Sequence, residues 1–593
     1  MTYGPLPSKA GVNKDDSPLE AGLIWIDADK IRFVGGLPET TYGWERASTS
    51  TLLGICRGAF TYADNDRNPI AAFGTHLRQY KMDIDGNVTD VTPLVAGPST
   101  AVLEFTTTLA SAKITVTSYT SGFVEDQKFS LSTVTIGSVG GISLIGSFTV
   151  GSVLSSTSFT FDGARAATSA AGPTGATVQI GTFLAPGQID GLGGLGFGTG
   201  GYGSGGYGGG SSGLTLFPRT WSFAPWGQDL LSNPRGKGIY TCSPTASYAT
   251  PVTNAPTQVG SMFVTAERIL VACGSNLDAS FDALQIDWSD AEDNTDWTPT
   301  AANLAGGYTL ADGGRVVRGL PGVGENVIWT EDALYGMVYN ADPNRVYDFP
   351  KRGSGCGLIG PNAAVELNGI WYWMTPAGAF MAYGGGQPQM LPCTLSRDVK
   401  DNLAFVQQDK VYASRLVGKN YAEVWWFVPD IRDGNECSRY VIYDTIAGTW
   451  SCGRFDRTAF TDASVFEYPL ATDSSGRIWF HEKGFTEDGG ARSWSLMGAY
   501  RNEPGGQIVV NGVRPDTDDL QGGYQITWAV INRDVRGKFS RTYPAINITS
   551  ATGQKSCRVQ GEQASVTFSG NASPTFWRMG NMQFDFTIST RKR

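Results

Sequence analysis

Short apolar strands that contain tryptophan recur through the middle of the chain, and their spacing constrains the fold more than any other feature. Five such segments centre on Trp288, Trp329, Trp371, Trp425 and Trp479. Their intervals are about 41, 42, 54 and 54 residues, close to the 40–50 residues of a propeller blade with four strands. A Gly-, Asp- or Ser-containing turn or another strand follows most of them. The pattern therefore predicts β-propeller blades over residues 214–485.

The composition favours an all-β chain. Of the 593 residues, 77 are Gly and 16 are Trp, whereas charged residues make up only 17%. Many glycines and aromatics with few charges are typical of turn-rich sheets and argue against long helices. The predicted fold class is mainly β: a β-propeller core with an inserted small β domain and a C-terminal β region.

The N-terminal segment, residues 1–99, reads as a series of hairpins. The first is predicted around the turn Asp27-Ala28-Asp29-Lys30, the second around residues 64–69, and the third around Asp85-Gly86-Asn87. Three hairpins in succession predict a β-meander that forms part of the propeller or of its platform.

Three further regions differ in composition from the propeller. Residues 100–187 are rich in Thr, Ser, Gly and Val, which predicts a separate small β domain inserted into the first unit. Residues 188–213 contain the quasi-repeat Gly196-Phe197-Gly198, Gly201-Tyr202-Gly203 and Gly206-Tyr207-Gly208. This stretch reads as a flexible surface loop, or alternatively as a loop whose spaced aromatics contact a neighbouring copy or another partner. Residues 486–593 read as a C-terminal β region.

Charge and cysteine usage exclude several classes of protein. A net charge of −10 and a pI near 5.0 speak against non-specific binding to nucleic acid, which needs a basic surface. The eight cysteines include no C-x-x-C pair, so we expect buried thiols and assembly in a reducing cytosol. The N-terminus shows no basic-then-apolar signal region, and no run of 18 apolar residues predicts a membrane span.

Few motifs suggest chemistry. Asp83-Ile84-Asp85-Gly86-Asn87 resembles the start of a calcium loop, but it lacks the Glu at position twelve, so a hairpin tip is favoured. The acidic cluster over 289–297 either holds a cation or, as we favour, forms a solvated turn between strands. Gly322-Val323-Gly324 and Gly384-Gly385-Gly386 are too short for phosphate-binding loops.

Catalytic constellations are equally sparse. The chain has only two histidines, His76 and His481, and we expect both at strand ends in hydrogen-bonded positions. The segment from Asp444 to Trp450 resembles the Asp-box of sialidase propellers, but its Gly and Trp stand four and six residues after the Asp instead of two and five. We therefore predict no catalytic, cofactor-binding or metal-binding residue and no enzymatic activity.

Many short segments, in one order, resemble a known family. They are Phe33-Val34-Gly35-Gly36-Leu37-Pro38-Glu39, Gly43-Trp44-Glu45, Gly54-Ile55-Cys56-Arg57-Gly58, Gly74-Thr75-His76, Asp90-Val91-Thr92-Pro93, Arg219-Thr220-Trp221-Ser222, Trp226-Gly227-Gln228-Asp229-Leu230, Asn233-Pro234-Arg235-Gly236, Trp288-Ser289-Asp290, Asp296-Trp297-Thr298-Pro299, Cys356-Gly357-Leu358-Ile359-Gly360-Pro361-Asn362 and Glu423-Val424-Trp425-Trp426-Phe427. The chain resembles the tail nozzle proteins, or tail tubular proteins B, of short-tailed bacteriophages.

The resemblance implies a structural role. Nozzle proteins form a ring, six-fold in known architectures, below the portal and the adaptor, and each subunit has a β-propeller with added platform and tip domains. We therefore expect a homo-oligomer in the virion tail, assembled in the host cytoplasm, that contacts the tail adaptor and carries fibres or spikes. DNA would pass only transiently during ejection, without a membrane span. An acidic chain suits such a conduit because like charges oppose close contact with the duplex. The alternative is a carbohydrate-binding or sialidase-like β-propeller, which the Trp-rich strands favour.

Overall fold

The computed structural model describes residues 3–5, 8–120, 122–192, 217–278, 280–340, 345–502, 506–534 and 537–589. The chain divides into two compact units. Residues 50–351 form one, called here the central unit, and residues 1–49 with 352–593 form the other, called the discontinuous unit. Residues 193–216 lie outside the described residues, and they include the whole Gly-rich quasi-repeat.

Six strands precede the propeller sheets of the central unit. They are β1 (Tyr3–Pro5), β2 (Lys9–Val12), β3 (Ile24–Asp29), β4 (Ile31–Val34), β5 (Leu37–Thr40) and β6 (Trp44–Thr51). The hairpin predicted around Asp27–Lys30 is wrong, because β4 pairs with β5 instead of β3. The turn between β4 and β5 is Gly35-Gly36, and both glycines have positive φ angles, 58° and 83°. Two adjacent residues with positive φ are what a tight two-residue hairpin turn requires.

The central unit opens with a four-stranded meander. Its strands are β7 (Cys56–Ala63), β8 (Pro69–Thr75), β9 (Gln79–Met82) and β10 (Val88–Asp90), hydrogen-bonded in the order β10-β9-β8-β7. The second and third predicted hairpins are therefore confirmed. Asp64 and Asp83 shape their turns, since each carboxylate accepts the backbone N–H of an asparagine four residues on.

A closed β-barrel is inserted after this sheet. Its strands are β11 (Leu94–Thr107), β12 (Lys113–Thr117), β13 (Lys128–Ser132), β16 (Gly146–Ser155), β17 (Ser158–Asp162) and β18 (Ala171–Phe183), with the small hairpin β14 (Ser138–Val139) and β15 (Ile142–Ser143) beside them. The barrel is closed in the order β11-β12-β17-β16-β13-β18. Its interior is filled by phenylalanines that point inward from alternate strands of the barrel: Phe105, Phe129, Phe159 and Phe161. The predicted inserted β domain is thus present, starting at Leu94 instead of 100.

The remaining sheets of the central unit follow the barrel. Their strands are β19 (Trp221–Trp226), β20 (Asp229–Pro234), β21 (Tyr240–Cys242), β22 (Thr250–Pro251), β23 (Val259–Val264), β24 (Leu270–Ser275), β25 (Asp282–Trp288), β26 (Gly306–Thr309), β27 (Val316–Leu320), β28 (Asn326–Thr330), β29 (Ala333–Tyr339), β30 (Tyr347–Asp348) and β31 (Lys351–Ser354). Three sheets follow the four-strand paths β19 to β22, β23 to β26 and β27 to β30. The first strand of each sheet contacts the first strand of the next sheet: β7 contacts β19, β19 contacts β23, and β23 contacts β27.

The discontinuous unit contains further sheets of this kind. Their strands are β32 (Ala364–Leu367), β33 (Ile370–Met374), β34 (Phe380–Tyr383), β35 (Gln389–Met390), β36 (Tyr412–Val417), β37 (Ala422–Pro429), β38 (Cys437–Asp444), β39 (Thr449–Arg454), β40 (Ala459–Phe460), β41 (Leu470–Thr472) and β42 (Arg477–His481). The helix α1 (Ser396–Asn402) and a 3₁₀ turn (Phe405–Lys410) precede β36. The last sheet has the order β40-β41-β42-β6, so an N-terminal strand completes it.

These sheets are β-propeller blades, which confirms the predicted fold class. In the part of the chain that the structure describes, seven sheets follow the four-strand path, four in the central unit and three in the discontinuous unit. All five recurring tryptophans are buried. They occupy different positions, however: Trp288 and Trp479 lie on third strands, and Trp329, Trp371 and Trp425 lie on second strands. The propeller also reaches further N-terminal than residue 214, because β6 to β10 belong to it.

The C-terminal region forms two more sheets. Its strands are β43 (Arg492–Gly498), β44 (Arg501–Asn502), β45 (Gln507–Arg514), β46 (Tyr524–Asp534), β47 (Gly537–Thr542), β48 (Ile546–Ile548), β49 (Lys555–Gly561), β50 (Gln563–Ala572) and β51 (Gln583–Ser589). One sheet has the order β1-β51-β45-β49, and the other has β2-β3-β43-β50-β46-β47. Trp25, Trp528 and Trp577 are buried in this region, which gives it an aromatic core.

Two features of the whole chain bear on earlier predictions. All eight cysteines are free thiols, and six of them are buried, as predicted. No helix in the described ranges is both long enough and apolar enough to cross a membrane.

Candidate functional site

Several segments of the resemblance meet where the first propeller sheet of the central unit packs against the second. The indole N–H of Trp221 donates to the carbonyl of Thr75 at 2.8 Å. Gly58 and Gly74 leave room for this indole, because a Cβ at either glycine would lie only 2.7 or 2.2 Å from Trp221 side-chain atoms. Any larger residue at these two positions would displace the tryptophan, so the glycines are required by packing.

Two buried arginines fix the chain as it leaves the barrel. An Nη of Arg57 donates to the carbonyl of Ile189 at 2.9 Å, and an Nη of Arg219 donates to the carbonyl of Ala185 at 2.6 Å. Burial lowers the pKa of Arg219 to about 10. The guanidinium groups therefore serve as hydrogen-bond donors to backbone carbonyls, which stabilises an otherwise irregular segment.

The barrel itself is held on the first sheet by a polar cluster that we call the barrel seat, formed by Arg78, Asp90, Lys128 and Thr149. Lys128 at the start of β13 pairs with Asp90 at the end of β10, with an N–O distance of 3.0 Å. Arg78 donates to the Thr149 hydroxyl on β16 at 3.1 Å. The Lys128 ammonium also lies 4.7 Å from the centre of the Phe183 ring. The seat contains no reacting group, and its geometry fixes one β domain against another.

Both histidines occupy the hydrogen-bonded strand-end positions that the sequence predicted. His76 follows β8 and accepts the backbone N–H of Ile55 through Nδ1 at 3.0 Å. His481 ends β42, is buried, and accepts from Nε of Arg457 at 2.6 Å. Burial, with the neighbouring Arg457 charge, holds the pKa of His481 well below its usual value. A neutral, enclosed imidazole is unsuited to exchange protons with a substrate.

The acidic motifs are turns. Asp83 lies at the tip of the β9–β10 hairpin, where partial burial works to raise its pKa but hydrogen bonds from Asn87 and Asp85 outweigh burial and lower it. In the cluster over 289–297, Asp293 accepts the N–H and hydroxyl of Thr295. Among the described residues, no group of three or more His, Cys, Asp or Glu is placed to hold a metal ion.

The Gly-rich segments and the near-match to the Asp-box are also turns. Gly322–Gly324 lie between β27 and β28, and Gly384–Gly386 lie between β34 and β35. The segment after Asp444 connects β38 to β39, and the Gly448 N–H donates to the Asp444 carbonyl at 2.8 Å. None of them opens a helix, which is the arrangement that cradles phosphate.

One cluster in the discontinuous unit combines residue types that a sialidase uses. The Tyr421 hydroxyl donates to Glu482 at 3.4 Å, and the Arg32 guanidinium lies 4.1 Å from the centre of the Tyr421 ring. Arg32 forms ion pairs with Glu482 at 2.6 Å and with Glu423 at 3.1 Å. Because Arg32 has no exposed surface, it is not accessible to the carboxylate of a substrate. The cluster ties β4 to β37 and to the end of β42.

A polar groove runs over the outer face of the C-terminal sheet. One row of directly opposed residues crosses five strands: Asp29 on β3, Ser495 on β43, Ser569 on β50, Gln525 on β46 and Asn547 on β48. The groove has a volume of about 710 Å³. Directly opposed residues point to the same face of a sheet, so this row presents hydroxyl and amide groups with a single carboxylate. The sequence pattern did not indicate this groove.

Comparisons with known proteins yield structural likeness only. No protein-family model matches the chain, and no curated protein does. A computationally designed protein, Ika8, is 10% identical, with 74% of this chain and all of that chain covered and a TM-score of 0.34. BamB from Moraxella catarrhalis is 9% identical over 45% of this chain and 83% of its own, with a TM-score of 0.25. The β-propeller domain of Swd1 from Myceliophteria thermophila is 10% identical over 44% and 82%, with a TM-score of 0.29.

Proposed function

We propose that this chain is the nozzle subunit of a short phage tail. It forms a ring that continues the DNA-ejection channel below the portal and the adaptor, anchors fibres or spikes on its outside, and acts without catalysis. The ring is assembled in the host cytoplasm and becomes part of the virion tail. The sequence resemblance implies a propeller with added domains, and the observed sheets, inserted barrel and C-terminal sheets are compatible with that architecture.

The observation that carries this proposal is the position of the resembling segments. Trp221 and Thr75 join the first two propeller sheets of the central unit, Arg57 fixes the segment that leaves the barrel, and Asp90 contributes to the barrel seat. A residue pattern that serves to hold an accessory domain rigidly suits a protein whose function is mechanical. A conduit also benefits from a net charge of −10, because like charges keep the duplex from adhering to it.

The test is the composition of particles. Intact virions are purified from the source, and this protein is quantified against the portal protein by peptide mass spectrometry. The proposal predicts a fixed ratio near one nozzle ring per portal ring, and electron microscopy of the tail should then place the propeller around the channel. Absence from particles, with the protein free in the lysate, would overturn the nozzle function.

A second candidate function is binding of carbohydrate, which the polar groove favours. Sugars are recognised through fixed hydroxyl and amide partners, and the groove offers Ser495, Ser569, Gln525 and Asn547 on rigid strands. A glycan array tests it: a specific glycan should be retained, and the double variant Gln525→Ala/Asn547→Ala should lose it. The exposed Gln560→Ala, outside the groove, is the matched control. A complete lack of binding excludes this candidate.

A further inference from the structure

The C-terminal region differs in charge from the rest of the chain. Residues 486–593 contain thirteen Lys or Arg against nine Asp or Glu, so their net charge is +4, whereas the other residues sum to −14. Residues 529–562 are the most basic part, with six Lys or Arg and two Asp or Glu. Such a charge asymmetry within an acidic protein indicates a surface for an acidic partner.

The basic residues of this part lie on adjoining exposed strands, a surface that we call the basic patch: Arg533, Lys538, Arg541, Lys555 and Arg558. All five are exposed. Arg533 on β46 and Lys538 on β47 are directly opposite each other in the register. Like charges at directly opposed positions repel each other and destabilise the sheet. An anionic partner would reduce this repulsion. Among the described side chains, Glu562 is an acidic neighbour of the patch, and its carboxylate accepts the Arg533 backbone N–H.

Two strands of the patch belong to different sheets but are joined. The Tyr543 hydroxyl donates to the carbonyl of Gln560 at 3.1 Å and accepts the Gln560 N–H at 3.1 Å. Gln560 lies on β49, two residues beyond Arg558, and the Arg541 guanidinium is 4.6 Å from the centre of the Tyr543 ring. The hairpin β46–β47 therefore lies next to the strand β49 and is basic on both of its faces, with Arg533 and Lys538 on one face and Arg541 on the other.

The complementary charge is found on the central unit, at one end of its propeller sheets. In a four-stranded meander, the turns between strands one and two and between strands three and four lie at the same end. In the central unit, the seven fully described turns at this end span 64–68, 83–87, 227–228, 243–249, 265–269, 289–305 and 321–325. They contain ten Asp or Glu and two Arg. The fully described turns at the opposite end, 76–78, 235–239 and 331–332, hold three basic and two acidic residues, so the excess of acid is confined to one end, which we call the acidic end.

We propose that the basic patch of one subunit docks on the acidic end of the central unit of a second copy of this chain. The inference rests on the proposed ring, and it names the two surfaces that make the contact. Two different surfaces give a heterologous, head-to-tail contact, which closes into a ring when the rotation permits. Complementary charge also speeds encounter and sets the register between neighbours.

The test is a pair of charge reversals in the full chain. The acid-reversed variant carries Asp66→Lys, Asp85→Lys and Glu292→Lys, which are exposed residues. Asp64, Asp83 and Asp293 are left in place because their carboxylates form the turns. The base-reversed variant carries Lys538→Glu, Lys555→Glu and Arg558→Glu.

A control variant makes a matched change away from both surfaces. It carries Glu125→Lys, Asp278→Lys and Asp332→Lys, which are also exposed. Assembly of all proteins is measured by mass photometry and sedimentation velocity in 50 and 500 mM NaCl. Thermal unfolding of each variant, within a few degrees of the wild type, establishes that it is folded.

The proposal predicts that the wild type and the control assemble, and that assembly weakens at least tenfold in the higher salt. Each reversed variant alone should assemble at least tenfold more weakly than the wild type, because three reversals weaken the attraction in the acid-reversed variant and turn it into repulsion in the base-reversed variant. An equimolar mixture of the two variants should associate again, as heterodimers, because the acid-reversed variant keeps an intact basic patch and the base-reversed variant keeps an intact acidic end. This recovery is a result that general destabilisation does not produce.

Three results would overturn the proposal. They are a wild type that stays monomeric, folded reversed variants that assemble like the wild type, and a mixture that does not recover. Retention of random-sequence duplex DNA that only the base-reversed variant loses, with assembly unchanged, would assign the patch to nucleic acid instead. The nozzle function is judged separately by the virion composition, so either proposal can fail while the other stands.

Discussion

The buried carboxylate of Glu423 provides a pH-dependent test of the packing in the discontinuous unit. Its side chain is 1% exposed and accepts the indole N–H of Trp425 at 2.9 Å, beside the ion pair with Arg32. Burial, which exceeds the opposing attraction of Arg32, raises the pKa of Glu423 from 4.5 to about 7. The folded state therefore binds this proton more tightly than the unfolded chain does. The stability it contributes is fully present below pH 4.5 and is lost as the pH rises through 7.

The magnitude follows from the shift. One pKa unit corresponds to about 1.4 kcal/mol, so Glu423 contributes up to about 3 kcal/mol of pH-dependent stability between pH 4.5 and 8. The glutamine of Glu423→Gln cannot titrate, so the variant lacks this pH dependence of the free energy of unfolding. The hydrogen bonds that it loses lower the stability by an amount that does not vary with pH. The variant should therefore gain stability relative to the wild type, by up to about 3 kcal/mol, as the pH rises across this range.

Urea unfolding followed by tryptophan fluorescence, at unit pH steps from 5 to 9, measures this difference. Because only the difference between two proteins is used, titrating groups that are remote from Glu423 cancel. Asp66→Asn, which changes an exposed carboxylate, should give a difference that does not vary with pH. A difference between Glu423→Gln and the wild type that stays constant within about 0.5 kcal/mol would refute the reasoning that burial governs this carboxyl.

Four other changes test separate parts of the fold. Arg492→Met should cost about 3 kcal/mol or more in urea unfolding, because it leaves the buried carbonyls that Arg492 satisfies, including that of Thr575, without donors. Trp425→Ala should cost about 3–5 kcal/mol by the same assay, since the ring is buried in a blade. His481→Gln should reduce the loss of stability below pH 6.5, because the lowered pKa of His481 makes its protonation unfavourable in the folded state. Lys128→Ala should speed hydrogen exchange in β13 and β10 without lowering the melting temperature of the propeller, and equal protection would contradict the barrel seat.

The local hairpins were predictable, and the one failure has a local cause. Asp85-Gly86 marks a turn because Gly adopts positive φ without strain, and the hairpin is where it was expected. Lys30 also has a positive φ, 56°, but a single such residue does not make a tight hairpin turn. The stronger signal was Gly35-Gly36, which begins five residues after Lys30 and is where the chain does reverse. A pair of glycines between apolar runs is therefore a stronger hairpin signal than acidic residues in the same setting.

Contacts between distant segments could not be predicted from the pattern. The recurrence of tryptophan indicates blades, because each blade buries strands that can carry this residue. It does not show which strand of a blade carries it. The five tryptophans in fact divide between second and third strands. In the barrel seat, Lys128 on β13 pairs with Asp90 on β10, and these residues are distant in the sequence. No motif marks the segment that contains Lys128. The only sequence signal was a lone lysine that follows Glu125-Asp126-Gln127, which is weak because most lysines are solvated.

The strand β6 has a consequence for how the protein is made. It is the fourth strand of a sheet whose other members end at His481, so its partner β42 leaves the ribosome roughly 430 residues later. At about 5–20 residues per second, the N-terminal strand waits roughly 20–90 s with an unpaired edge. During that interval the nascent chain has an edge open to wrong partners, including the same strand of a neighbouring nascent chain. Chains truncated before residue 477 lack β42 and cannot pair β6. Incomplete products would therefore keep an exposed strand edge, which distinguishes them from complete subunits.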